Sequence, residues 1–181
     1  MNTVSAKIML MNGDLDEKLS YLYACPMEKA PVYRNRLIDA IEKFEELFGV
    51  SREISIFSAP GRTEIGGNHT DHQLGRVLAA SVNMDVIAVV SKNDSQLIRV
   101  KSQGYPQDDV DISSLALVEE EKNTSASLIR GMCARFRQLG YAVGGFDAYT
   151  TSNVLQGSGL SSSAAFEVLL GTAMNALFCG G

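Results

Sequence analysis

The sequence predicts an α+β fold, from hydrophobic spacing, strand-like alternation and the order of the segments. Apolar residues three and four positions apart predict helices over 32–48, 125–139 and 162–178, with a shorter helix over 14–25. The segments between the helices alternate in polarity or are continuously apolar, which predicts strands. The order is helix, several strands, helix, strand, loop, helix, so we expect an α+β or mixed α/β sheet covered by helices.

The predicted strands are bounded by turn residues and short polar stretches. They are the segments 53–61, 77–91, 96–102, 109–113 and 145–153. Pro60 and Gly61 are expected to end the first strand, and 77–91 forms one or two strands, the second largely buried. The segment 109–113 is expected to pair with 96–102.

Composition limits the classes of protein that this chain can represent. It has 181 residues, of which 45% are hydrophobic and 20% charged, so a packed core is expected rather than disorder. The net charge of −5 argues against a broad nucleic-acid surface, which is normally basic. An acidic protein can still bind a small anionic ligand through a local group of backbone amides.

The cysteines and the chain termini indicate a cytoplasmic protein. Cys25, Cys133 and Cys179 are odd in number and far apart, which predicts free thiols in a reducing compartment. The N-terminus has no basic region followed by a long apolar one, so no signal peptide is expected. No stretch of about 18 apolar residues is evident, so we expect no membrane span.

A glycine- and serine-rich loop, GSGLSSS at 157–163, lies between a predicted strand and the last predicted helix. Glycines let the main chain approach an oxyanion, and the first amides of a helix point at it with the positive end of the helix dipole. The serine hydroxyls can bind phosphate or Mg²⁺. The loop matches neither the Walker A nor the Rossmann pattern. The alternative is a plain linker followed by a serine N-cap.

A second polar segment, residues 58–78, contains both histidines of the chain, His69 and His72. It also contains the charged residues Arg62, Glu64 and Asp71. This composition predicts a ligand-binding loop. Three alternatives stay open at this point. The histidines and Asp71 could bind a metal ion in a hydrolase, Asn68 and His69 could form a turn, and Arg62 could pair with Glu64 at the surface.

Together the two segments resemble a known family. APGRTEIGGNHTDHQLGRVLAAS (59–81) resembles the galactokinase signature, and GSGLSSSAA (157–165) is similar to the second motif of the GHMP kinase superfamily. The resemblance extends over about residues 30–178. It implies an N-terminal extension over 1–30 and, over 31–181, a GHMP kinase N-terminal domain that carries the galactose-binding segment and has the ribosomal-protein-S5-domain-2-like fold.

The resemblance also implies a reaction, transfer of the ATP γ-phosphoryl group to the anomeric hydroxyl of galactose with Mg²⁺ as cofactor. Arg62 matches the catalytic arginine near the transferring phosphoryl group. The positions matching sugar-binding residues are Asn68, His69 and Asp71. The phosphate-binding positions are Gly157, Ser158, Gly159, Leu160, Ser161, Ser162 and Ser163, and Ser163 is also the candidate Mg²⁺ ligand.

Three departures from the family pattern affect the expected sugar. Asn68 stands where the family usually has Glu, His72 replaces the usual Tyr, and Gly66 replaces an apolar residue. N-acetylgalactosamine or another hexose is therefore an open alternative to galactose. A sensor that binds sugar and nucleotide without catalysis is another.

The family's catalytic aspartate, its Mg²⁺-binding glutamate and its C-terminal domain have no counterpart in residues 1–181. Asp147, on the strand that precedes the glycine- and serine-rich loop, is the nearest acid before it, but nothing assigns it as the base. We therefore expect an N-terminal piece that does not turn over alone. We also expect exposed apolar surface that favours self-association.

Overall fold

A computed structural model gives the fold and describes residues 1–67, 74–154, 157 and 159–180. The helices are α1 (Thr3–Met11), α2 (Asp16–Leu22), α3 (Ala30–Phe48), α4 (Ser125–Gln138) and α5 (Ser162–Met174). The strands are β1 (Ser55–Gly66), β2 (Leu78–Lys92), β3 (Leu97–Ser102), β4 (Gln107–Asp111) and β5 (Phe146–Ser152). A π-helical turn, Asn175–Cys179, continues α5. The predicted α+β fold class is confirmed.

The strands form one sheet in the order β1-β2-β5-β3-β4. β5 runs parallel to β3, and the other neighbouring pairs are antiparallel. The chain reaches β5 from β4 through α4, which is the crossover that a parallel pair requires. The predicted pairing of 109–113 with 96–102 is confirmed, since Val110 lies opposite Ile98.

Helices cover both faces of the sheet, and each face has its own apolar core. α4 and α5 pack on one face, where Val86, Ala88 and Val90 of β2 are buried. The first three helices pack on the other face, against Ile87 and Val89 of the same strand. Burial on both faces explains why this part of the sequence is continuously apolar instead of alternating.

β1 continues past Pro60 and Gly61, so the prediction that these residues end the strand is wrong. β1 is an edge strand, and a proline there interrupts no interior ladder. The ladder does change register at this point, because Pro60 pairs with Asp85 and Arg62 pairs with Ser81. Three residues of β2, 82–84, thus lie opposite Gly61 alone, a bulge that bends the ladder beside the candidate site.

The segment Ser162–Cys179 is long and apolar enough to cross a membrane by length and composition alone, with a mean hydropathy of 1.3. Its apolar side chains have another explanation in this fold. Five of them are buried in the core under the sheet: Ala165, Leu169, Leu170, Ala173 and Met174. A core helix acquires the same composition through packing.

Candidate functional site

The two sequence motifs meet beside β1, just after its bulge. The Arg62 amide donates to the Leu160 carbonyl oxygen at 3.1 Å, and Arg62 Nε donates to Ser161 Oγ at 3.2 Å. Gly61 is buried beside them, and a Cβ there would lie 3.0 Å from the Leu160 oxygen. The glycine therefore allows β1 to lie directly against the loop that precedes α5.

That loop has an unusual backbone conformation. Gly157 and Gly159 both have φ of 76°, and Ser161 has φ of 58°. Glycine adopts this left-handed region freely, whereas a serine there is strained by about 1–3 kcal/mol. A strained residue that the surrounding structure holds in place is a feature often found at ligand sites.

The N-terminus of α5 is open. Ser161 occupies the N-cap position, yet within the described part of the chain no side chain caps the helix and no acidic residue lies in its first turn. The Ser161 hydroxyl accepts from Arg62 instead of capping. The plain N-cap alternative therefore does not describe this serine. The first amides and the positive end of the helix dipole are available for an anion.

A cavity of about 700 Å³ begins at this helix terminus. Ser162 and Ser163 line it, together with the ends of β3 and β5 and the first turn of α4. One wall is polar, with Ser125 Oγ donating to Asp108 Oδ2 at 2.5 Å. A second cavity of about 420 Å³ shares Asn123 and Ser127 with it and has a more apolar wall: Leu115, Leu117, Val118 and Ala134. These volumes are typical of small-molecule sites.

The predicted site residues are only partly described. Arg62 contacts Leu160 and Ser161, and Ser162 and Ser163 follow them in the first turn of α5; Gly157 and Gly159 belong to the same loop. Asn68, His69, Asp71, His72 and Ser158 lie outside the described residues. Gly67 has φ of 117°, and a Cβ there would lie 2.7 Å from the Arg76 oxygen. Gly67 and Arg76, which lie on either side of 68–73, are thus in close contact.

Asp147 is not part of this site. It lies near the start of β5, whereas the loop follows the end of that strand. It accepts from Arg99 Nε at 2.6 Å, from Arg52, and from Asn93 at 2.9 Å. Burial raises the pKa of this carboxyl, but the hydrogen bonds from Arg99, Arg52 and Asn93 outweigh it and hold the pKa below its ordinary value. A carboxylate held in an ion-pair cluster away from the loop has a structural role.

Sequence reasoning missed Asp85, which is 2% exposed at the bulge between β1 and β2. A signal was present, because Asp85 is a charged residue inside the apolar run 77–91. Such a residue is seldom fully buried unless it is paired. The metal-site alternative rests on His69, Asp71 and His72, which lie outside the described residues; the described part of the chain contains no group of three potential ligands.

Comparison with known proteins matches both motifs. The family model for the galactokinase galactose-binding signature matches residues 42–92, and the one for the GHMP kinase N-terminal domain matches residues 127–181. Mevalonate kinase from Methanococcus jannaschii shares the fold, with a TM-score of 0.57 at 12% identity over 68% of this chain and 40% of that one.

Galactokinases are also similar in sequence and structure. Those of Streptomyces coelicolor and Bacillus subtilis are each 34% identical, over 77% and 75% of this chain. The chain spans only 36% and 35% of their lengths. The crystal structure of Lactococcus lactis galactokinase with galactose has a TM-score of 0.69 at 28% identity, covering 75% of this chain and 36% of that one. The chain therefore belongs to the galactokinase family of GHMP kinases and corresponds to the N-terminal part of those proteins.

Proposed function

We propose that this chain is the part of a sugar kinase that binds ATP and sugar, in an enzyme that phosphorylates galactose at its anomeric hydroxyl. The observation that carries the proposal is the contact of Arg62 with Leu160 and Ser161 at the open N-terminus of α5. Phosphoryl transfer depends mainly on positioning and on neutralising charge. Arginine, helix amides and a cation together supply that positive charge.

In this proposal the loop holds the phosphates of ATP. Its residues are Gly157, Ser158, Gly159, Leu160, Ser161, Ser162 and Ser163. The positive φ values curl the chain before α5, and the uncapped amides of the first turn face an anion. The nucleoside would occupy the adjoining cavity of about 700 Å³, with its base toward the more apolar cavity beside it.

Ser163 is the proposed protein ligand of Mg²⁺. It is exposed in the first turn of α5 and lines the cavity, and a hydroxyl oxygen suits a hard cation. Mg²⁺ commonly uses few protein ligands and completes its shell with phosphate oxygens and water. When bound, the ion would neutralise charge on the phosphates.

Arg62 is the proposed catalytic residue. Its Nε is fixed on Ser161, while the side chain as a whole is exposed. A guanidinium held in this way can stabilise the charge that develops on the transferring phosphoryl group. It requires no movement of the loop, because the same loop binds both the arginine and the phosphates.

Asn68, His69 and Asp71 are the proposed sugar contacts. The Lactococcus lactis relative was solved with galactose, and the galactose-binding signature matches this part of the chain. Asn68 and His72 differ from the usual Glu and Tyr, so the hexose itself is best tested directly. Calorimetry with galactose and with N-acetylgalactosamine, each added to the Mg·ADP-bound protein, would rank the two sugars.

We propose that residues 1–181 alone do not turn over, and that the protein is cytoplasmic. Asp147, the nearest acid before the loop in sequence, is bound to Arg52 and Arg99 away from it. A coupled assay with ATP and galactose should give no turnover, and a rate near that of a complete galactokinase would refute this.

We also propose that the chain self-associates, because the apolar side chains of Ile65, Leu74 and Leu78 are exposed. Gel filtration tests this: elution at the volume of a monomer, later than a dimer, would contradict it.

A direct test of the proposed phosphate site uses Arg62→Ala and a matched control, Arg76→Ala, which removes another exposed arginine of the same segment. Charge-assisted hydrogen bonds contribute about 1.5–3 kcal/mol, which corresponds to roughly 10- to 150-fold in affinity. We expect calorimetry to show that much loss of Mg·ATP binding for Arg62→Ala and little change for the control. Equal affinities for the two variants would contradict the proposal, as would wild type that binds no nucleotide.

The non-catalytic sensor is the second candidate, and Asn68 in place of the usual Glu is the observation that favours it. Both candidates bind nucleotide and sugar, so binding does not separate them. An assay of sugar phosphate formation by the natural gene product does separate them, because a sensor binds both ligands without forming sugar phosphate.

A further inference from the structure

Asp85 is the centre of a buried polar cluster at the end of the sheet nearest the loop. Its carboxylate accepts from Tyr23 Oη at 2.6 Å, from Ser58 Oγ at 2.5 Å and from Arg36 Nη1. Its carbonyl oxygen accepts from Arg36 Nη2 and from the Asn153 amide, each at 3.0 Å. Asp85 thus connects α3, β1 and the chain that leaves β5. It also binds Tyr23, the residue that follows α2.

The cluster lies where both motifs leave the sheet. Ser58 and Pro60, which contact or pair with Asp85, precede Arg62 by a few residues on β1. Asn153 stands just after β5, at the start of the connection to the glycine- and serine-rich loop. Arg36 Nη2 also donates to the Thr151 carbonyl oxygen at 3.2 Å. Asp85 therefore contacts both segments shortly before Arg62 and the loop meet again.

The cluster is not the arrangement that stability alone would favour. Replacing a buried ion pair with packed apolar residues is often neutral or stabilising, so such a pair is better explained by the geometry it fixes. Arg36 Nε is buried without a hydrogen-bond partner among the described residues. Burial, and then the hydrogen bond to Asp85, raise the pKa of Tyr23 above its ordinary value, so its hydroxyl remains a donor.

We propose that Asp85, held by Tyr23 and Arg36, is a positioning residue that sets the Arg62 side of the site against the phosphate loop. The proposal rests on the function proposed above for that loop. It also gives Tyr23, at the end of the first two helices, a role in the site. Asp85 touches no substrate in this proposal and acts only through the strands it joins.

The Arg62 amide is the reporter, because its hydrogen bond to Leu160 closes the site. Native-state hydrogen exchange would be measured in the full chain for wild type, Asp85→Asn and Tyr23→Phe. The exchange rate of the Arg62 amide is divided by the rate of the buried α4 amides near Ile129. A loss of global stability raises both rates and therefore cancels in this ratio. The matched control is Asp147→Asn, which disrupts another fully buried carboxylate at the opposite end of β5.

We expect the relative exchange of Arg62 to rise about 5- to 30-fold in Asp85→Asn and Tyr23→Phe, the change that loss of one buried hydrogen bond produces in an opening equilibrium. In Asp147→Asn the ratio should stay at the wild-type value. Unchanged ratios in the first two variants would overturn the proposal, as would an equal rise in the control. If Asp85→Asn does not fold, Tyr23→Phe decides alone, since it removes only a hydroxyl.

A parallel titration with Mg·ADP separates this inference from the proposed function. Wild-type protein that does not bind Mg·ADP contradicts the proposed function, while the exchange ratios still decide whether Asp85 positions Arg62. Where wild type binds, affinity should fall by the same 5- to 30-fold in Asp85→Asn and remain unchanged in Asp147→Asn.

Discussion

Gly61→Ala should loosen the contact between the two motifs. The added methyl would lie 3.0 Å from the Leu160 carbonyl oxygen and 3.2 Å from both Val154 methyl groups. Those distances are shorter than ordinary contact, so the neighbours must move by a few tenths of an ångström. The Leu160 oxygen is the acceptor of the Arg62 amide at 3.1 Å, and this bond is already near the upper limit of the usual range.

The expected cost follows from two opposing effects. Overpacking a filled site costs about 1–3 kcal/mol, and replacing glycine with alanine recovers about 0.4–1 kcal/mol by restricting the unfolded chain. The net destabilisation is therefore about 1 kcal/mol. In a chain of this size that lowers Tm by about 2–4 °C. We also expect weaker Mg·ADP binding, because displacement of Leu160 moves the adjoining Ser161.

Gly171→Ala is the matched control, since it makes the same chemical change where the methyl group would lie at an ordinary 3.9 Å from Met132 Sδ. Gly171 lies inside α5 and lines neither cavity, and alanine is favoured over glycine in a helix by about 1 kcal/mol. Thermal unfolding should therefore give opposite signs for the two variants, and Gly171→Ala should bind Mg·ADP like wild type. Stabilisation by Gly61→Ala, with unchanged nucleotide affinity, would show that the two motifs are not in the close contact described here.

Two further predictions concern buried ionisable groups. The folded-state pKa of Asp147 is depressed, so its contribution to stability is complete above the unfolded pKa of about 3.9 and is lost as pH falls through the folded value. Asp147→Asn should lower the free energy of unfolding, measured in urea at pH 7, by about 3–5 kcal/mol. The difference between wild type and variant should become smaller in acid, and a difference independent of pH would contradict this prediction. Burial raises the pKa of Cys133 to about 11, so a thiol reagent at pH 8 should label half-buried Cys25 and Cys179 first. If peptide mass spectrometry shows that Cys133 in the folded protein is labelled as fast as Cys25 and Cys179, this prediction is wrong.

The sequence predicted most elements because their signals are local. Helix spacing identified α3, α4 and α5, and the predicted helix over 14–25 contains α2. α1 was missed, although the Asn2 side chain caps it by accepting from the Ser5 amide at 2.9 Å. Its exposed Val4 and Ile8 stand beside buried Ala6 and Leu10, so no clear polar face marks the helix. Its stability comes from packing on α3, which sequence spacing does not reveal.

The candidate site was predicted in part. The phosphate loop and Arg62 were identified as motifs, and their relationship to known kinases is confirmed by family models and relatives. The sugar contacts assigned to Asn68, His69 and Asp71 stay predictions. The continuation of β1 through Pro60 was not predicted, because a proline usually ends an interior strand and only the sheet order shows that β1 is at the edge.

The sequence by itself determined the family, the fold class and the chemical character of the two motifs, because these depend on residue type and short spacing. The tertiary structure alone decided that Arg62 binds the loop before α5 and that Asp85 joins the strands behind both. These contacts link residues up to 99 positions apart across a bulged ladder. Such contacts depend on strand order and register, which are set by packing of the whole core.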